Sequence, residues 1–198
     1  MTSARRSPLP VWLLFLPLAA SFVLATWALP RQPDRVPVHW NAAGQPDRWG
    51  SPVEALFSLP GSILFVTLMI ALVGRSQPGA QPVIRVAVFG LGVMALGDVA
   101  AQAFAWDSFR ITMVTLGLLF LMLGPALRRS DPATLNGPRL SPASQRLAGQ
   151  AWTGLGAALV LASLFAPATI WITWTLTAGL TVMVLGMTAQ AQRDRRQR

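Results

Sequence analysis

The chain has 198 residues, of which 53% are hydrophobic and only 12% charged. A soluble domain carries about twice that charged fraction, so composition points to the membrane class. A formal net charge of +9 would suit a nucleic-acid partner, but the placement of the arginines argues against it. The absence of cysteine removes disulfide frameworks and thiolate metal sites.

A helix needs roughly 20 apolar residues to cross about 30 Å of hydrocarbon. Uncharged or nearly uncharged runs predict spans over about 9–29, 54–74, 83–106, 109–127, 149–166 and 169–189. The last two share 46 uncharged residues, Leu147 to Gln192, which as one helix would measure roughly 69 Å. A turn is therefore expected at "FAPAT", around Pro167. The first run follows Arg5 and Arg6 in the manner of a signal peptide, but it is too long for an h-region and no A-x-A site follows. The expected fold is all-α: a single polytopic membrane domain of six helices, with one ordered outer loop over 30–52 and a basic tail over 190–198.

Orientation follows from the arginines, which concentrate in inner loops. With the N-terminus inside, the inner segments hold Arg5, Arg6, Arg75, Arg85, Arg128, Arg129, Arg139, Arg146, Arg193, Arg195, Arg196 and Arg198, which is 12 of the 16 basic residues. The expected topology is N-in and C-in, with the first loop outside. Short basic loops of this kind are what membrane insertion requires, so no nucleic-acid partner is expected. The tail "RDRRQR" reads as a topology anchor or a contact to anionic lipid. Indoles favour the headgroup level, and this pattern puts Trp12 and Trp152 at the inner surface and Trp27, Trp106 and Trp171 at the outer one.

Small residues at four- and seven-residue spacing mark faces where membrane helices approach closely. Gly90 with Gly97, Gly117 with Gly124, the stripe Gly154, Ala158 and Ala162, and Thr175, Gly179 and Gly186 all fit that pattern. Two other features exceed it. "SLPGS" places Pro60 and Gly61 in the first third of the second span, where proline removes a backbone hydrogen bond and can kink the helix. Asp98 is an acid well inside the third span, with Gln102 four residues on and on the same face. Such a carboxylate is costly and faces a bundle interior or a water-filled cavity. Its structural explanation is a bond to a partner such as Arg110.

The outer loop "RVPVHWNAAGQPDRWGSP", Arg35 to Pro52, holds the single histidine and two of the eight tryptophans. Val36, Val38 and Trp40 alternate with Pro37 and His39, an extended pattern. Asn41 and Gly44 supply turn chemistry. Ser51 and Pro52 read as N-cap and first residue of the next helix. Together these predict a two-limbed loop. A zinc site wants three or four ligands, and with one histidine it would need Asp34, Asp47, Glu54 or Asp98 as well. The simpler reading bonds His39 to Asp47 or to the loop backbone, with no metal and no cofactor expected.

Leu29-Pro30, the run Pro33 to Asn41, Gly44, and Pro46-Asp47-Arg48-Trp49-Gly50-Ser51 resemble the pattern of domain of unknown function 1648, found in SdpI-like bacterial membrane proteins. That resemblance implies a multi-pass protein of the bacterial cell membrane linked to immunity against peptide toxins or to signalling. The second motif of SdpI-like proteins, in an inner loop, is reduced here to Gly137 and Arg139. The leading expectation is outer-face recognition of a peptide toxin, a membrane lipid or a partner membrane protein by His39, Trp40, Asn41, Gly44, Asp47, Trp49 and Gly50. The alternative is a small transporter or channel whose path uses Asp98 and Gln102. Catalysis ranks third, since the serines and threonines lack a base partner other than His39.

Overall fold

The computed structural model describes residues 10–41, 43–130, 141–166 and 169–196. Arg5, Arg6, Gly137, Arg139, the Pro167 turn and Arg198 lie outside the described residues. Six helices follow in order: α1 (Leu16–Ala28, entered through a 3-10 turn over Val11–Phe15), α2 (Pro52–Gly74), α3 (Gln81–Ala103), α4 (Ser108–Arg129), α5 (Pro142–Phe165) and α6 (Thr169–Arg196). Five segments, Val11–Arg31, Pro52–Gly74, Pro78–Ala103, Ser108–Arg129 and Pro142–Phe165, are long and apolar enough to cross a membrane. A sixth, shorter apolar stretch, Ile170–Gly186, lies within α6. The chain is thus a helical membrane protein. Among the described residues the strands are confined to the first loop, where β1 (Val36–Trp40) and β2 (Pro46–Gly50) form an antiparallel hairpin.

Side-chain caps set several helix starts. The Ser51 hydroxyl accepts from the Glu54 N–H at 3.1 Å, the Asp107 carboxylate from the Arg110 N–H at 3.0 Å and the Ser141 hydroxyl from the Ser144 N–H at 3.1 Å. Each satisfies a donor that the first turn leaves without an intrahelical partner. The Ser141 cap, with Pro142 behind it, starts α5 about one and a half turns before the uncharged run begins at Leu147. Arg146 is therefore helical, and Gln145 donates to the Leu127 and Ser130 carbonyls at 2.6 Å each, tying the start of α5 to the end of α4. Trp152, expected at the inner surface, consequently stands about three turns into α5, edge-on to Phe120 of α4 with centroids 4.6 Å apart.

Glycine sets the closest helix contact. A Cβ on Gly156 would stand 2.6 Å from both the Gly117 carbonyl oxygen and the Leu121 nitrogen, so α4 and α5 meet backbone to backbone. Gly124 and Gly149 repeat the arrangement one heptad away, and Gly90 and Gly97 of α3 receive Leu119 and Thr115 of α4. The expected stripe on α5 needs correction. Gly154 and Ala158 are exposed, with nothing within 4 Å of a Cβ at Gly154. Gly149 and Gly156 occupy the buried face, which lies about 160° around the helix from Gly154.

Buried apolar residues gather in three clusters. Leu119, Phe120, Leu155, Leu159 and Ile172 join α4, α5 and α6. Ala25, Ala28, Leu56 and Val99 join α1, α2 and α3 at the hairpin end, and Leu18, Ile63 and Ala95 join the same helices deeper in the bundle. Leu91 packs against both halves. At the hairpin end Trp27, Phe104 and Trp106 form an aromatic chain, with centroids 6.1 Å and 5.3 Å apart.

Candidate functional site

The hairpin is built as the alternation in β1 dictates. Val36 is buried, Val38 and Trp40 are half-buried against the bundle, and His39 points outward. The register pairs Val36 with Gly50, Pro37 with Trp49, His39 with Arg48 and Trp40 with Pro46, with irregularities on both sides of His39. Proline cannot donate to a ladder, and such irregularities twist a strand and re-aim its side chains. The turn belongs to Asn41. Its side-chain oxygen accepts from the N–H groups of Ala43 and Gln45, each at 3.0 Å, and its own N–H donates to the Gln45 carbonyl at 2.9 Å. Gly44 takes φ 74°, a conformation glycine adopts without steric penalty. Gly50 allows a close approach, since a Cβ there would displace the Glu54 carboxylate and come within 2.9 Å of Val38.

On the outward face, His39 Nδ1 and Asp47 Oδ1 lie 2.6 Å apart, joining the two strands. Arg48 donates to Glu54 at 2.6 Å and ties β2 to the first turn of α2. Trp49 is 54% exposed and contributes its ring to the surface. Among the described residues no three histidine or acid side chains converge to hold a metal ion. Glu54 is paired with Arg48, and Asp98 lies on the opposite side of the hairpin.

Beneath the hairpin is a cavity of about 290 Å³. Val38 and Trp40 contribute from β1, Ser58 and Ser62 from α2, and Asp98 and Gln102 from α3. Asp98 is 7% exposed. Its two oxygens accept from Gln102 Nε2 at 3.3 Å and from Thr112 Oγ1 of α4 at 3.2 Å. Gln102 also donates to the Ala55 carbonyl at 2.9 Å, fastening α3 to the first turn of α2. Pro60, buried in α2, has no N–H to give the Leu56 carbonyl, and Gly61 beside it leaves the space at its Cβ position empty. On the far side of Trp40 a second recess of about 460 Å³ reaches Gly44, Trp106 and Asp107, with Trp40 and Gln102 lining both.

Arg110 does not pair with Asp98, as the sequence had suggested it could. Its guanidinium donates at 2.9 Å to the Ser163 carbonyl and at 2.9 Å to the Ala166 carbonyl, and contacts the Asp107 carboxylate at 3.2 Å. Residues two apart on a helix point about 200° apart. Since Thr112 faces Asp98, Arg110 faces α5, where it satisfies carbonyls at that helix's C-terminal end.

The sequence-derived residues therefore separate by role. Trp40, Asp98 and Gln102 share one cavity, His39 and Asp47 pair outside it, Asn41, Gly44 and Gly50 shape the hairpin, and Trp49 is free on the surface. Thr112, Ser58 and Ser62 were missed. The two serines flank Pro60 and Gly61 at i and i+4, a spacing that places both on one helix face, and that signal was available in "SLPGS".

Residues 16–64 match the family model described as Domain of unknown function (DUF1648). That segment runs from the start of α1 through the hairpin to Leu64 of α2, so it includes the roof and the serine wall of the cavity but not Asp98. None of the curated proteins and none of the solved structures compared matches the chain.

Proposed function

We infer that the chain is a six-span protein of the bacterial cell membrane, with both ends inside, that recognises a membrane-borne partner through its outer hairpin, in the manner of an immunity or signalling protein. The excess of arginine at the ends of alternate spans supports the orientation. The matched segment supports the resemblance on which the immunity or signalling role rests. One observation carries the binding role: the hairpin is a lid, with Trp40 and Val38 over a cavity that exposes Asp98 and Gln102. A loop serving only as a connection has no need of a buried carboxylate beneath it, and polar groups converging in a concave site are the usual mark of binding. Trp49 and the His39–Asp47 pair present an aromatic and a polar surface to whatever approaches from outside.

The test is a bacterial host expressing the full chain and challenged with membrane-active peptides. Protection is expected from the natural chain, and its loss is expected in Trp40→Ala and Trp49→Ala variants that still insert to the same level. Equal protection by all three would remove the recognition role.

A further inference from the structure

We propose that the cavity beneath the hairpin binds a primary ammonium group carried on an amphipathic molecule; the proposal rests on the reading of the hairpin as a lid. The carboxylate of Asp98 is the anchor. A carboxylate offers about four acceptor positions, and the described residues take two of them, with donors at 3.2 Å and 3.3 Å. The hydroxyl contact is longer than the usual 2.5–3.0 Å for O–H···O bonds, and both donors are neutral, an amide and a hydroxyl. No cation pairs with Asp98 among the described residues. Arg110, the arginine nearest to it in the chain, is spent on Asp107 and the end of α5. Asp98 is thus a buried acid in a wall of a cavity with no arginine paired to it among the described residues.

The rest of the lining is of matching character. The Gln102 amide is occupied by Ala55 and Asp98, while Ser62 donates to the Ser58 carbonyl at 2.8 Å and keeps its lone pairs. Ser58 adds a second hydroxyl. The cavity therefore offers acceptors to a guest, and an ammonium brings three donors and no acceptor. Trp40 supplies an indole, the ring that attracts cations best. A volume of about 290 Å³ holds an ammonium with a short stem rather than a drug-sized body.

Access explains why the guest is amphipathic. Ser58, Gly61 and Ser62 are exposed on α2, so the cavity opens sideways below the hairpin. Asp98 stands five residues before the end of α3, about 8 Å along the axis, toward the end of the bundle that the hairpin covers. An amine entering from the bilayer can place its ammonium on Asp98 while its tail stays in lipid.

The full chain in phosphatidylcholine nanodiscs, titrated with n-hexylamine, n-hexanol and hexanoate, tests this by tryptophan fluorescence and thermal shift. Saturable binding of hexylamine alone is expected, weakened at least about tenfold in Asp98→Asn, the scale for removing one member of a buried charge pair, and weakened less in Trp40→Phe than in Trp40→Ala. Binding of hexanol as tight as that of hexylamine would overturn the proposal on the natural chain, whatever the variants do. So would equal hexylamine affinity in Asp98→Asn. Adding phosphatidylethanolamine to the discs separates the sources: competition with hexylamine assigns the site to a lipid headgroup, and its absence assigns it to an amine arriving from outside. If hexylamine fails while a crosslinker at position 40 still reaches α2 and α3, the ammonium is wrong and the lid stands.

Discussion

At the scale of single residues, the hairpin's polar side chains divide into those that build it and those that remain available. His39 and Asp47 lie on its exposed face at 2.6 Å, and exposed pairs contribute little. Asp47→Ala is expected to cost less than about 1 kcal/mol in detergent-solubilised unfolding; a larger loss would mean that the pair organises more than two strands. Ala105 gives a prediction of opposite sign. It follows the end of α3 at φ 56°, where the Trp106 N–H reaches the Ala101 carbonyl at 2.8 Å. This is the left-handed residue of a Schellman ending, a place that favours glycine. Ala105→Gly should raise stability by about 0.5–1 kcal/mol, and a fall in the unfolding midpoint would contradict that reading. The turn role of Asn41 and Gly44 was readable in the sequence because Asx turns are local. Of the partners of Asp98, Gln102 was readable too, because residues four apart share a helix face. Thr112 was not, because it comes from another helix, and the side on which Arg110 emerges depends on helix phase.

At the scale of elements, glycine spacing named the tight contact of α3 with α4 and the α4 side of the contact with α5, but it chose the wrong stripe on α5. Gly154 and Gly156 are neighbours in sequence and lie on different sides of the helix, and only the partner helix decides which is buried. Gly156→Leu must displace backbone atoms of α4 that a Cβ would approach to 2.6 Å, and a loss of about 1–3 kcal/mol is expected. Gly154→Leu meets open space and should be tolerated to within about 0.5 kcal/mol. Equal effects of the two substitutions would mean that α5 is rotated. Element boundaries were legible where a cap marked them, at Ser51 and Pro52. The start of α5 was misjudged because charge, rather than the Ser141–Pro142 signal, was used to place it. The hairpin shows in the alternation of Val36, Val38 and Trp40, even though the fold is otherwise helical.

At the scale of the whole molecule, the gathered ends of the helices make the hairpin cover a cavity rather than float over a membrane surface. Gln102 bonded to Ala55 and Arg110 bonded to the end of α5 hold those ends together. Because the chain has no cysteine, its orientation can be read cleanly. A single cysteine at position 39 is expected to react in intact cells with an impermeant thiol reagent, and one at position 76 only after the cells are opened. The reverse pattern would invert the topology. The apolar runs and arginine pattern made the membrane class legible without coordinates. The link between the hairpin and Asp98, 58 residues apart from Trp40 in the chain, depends on packing that no local pattern encodes. The most direct measurement therefore replaces Trp40 with a benzophenone-bearing residue in the full chain and maps the crosslinked peptides after irradiation in the membrane. Adducts to α2 near Ser58–Ser62 or to α3 near Asp98–Gln102 are expected; adducts to lipid alone, with neither helix modified, would contradict the lid.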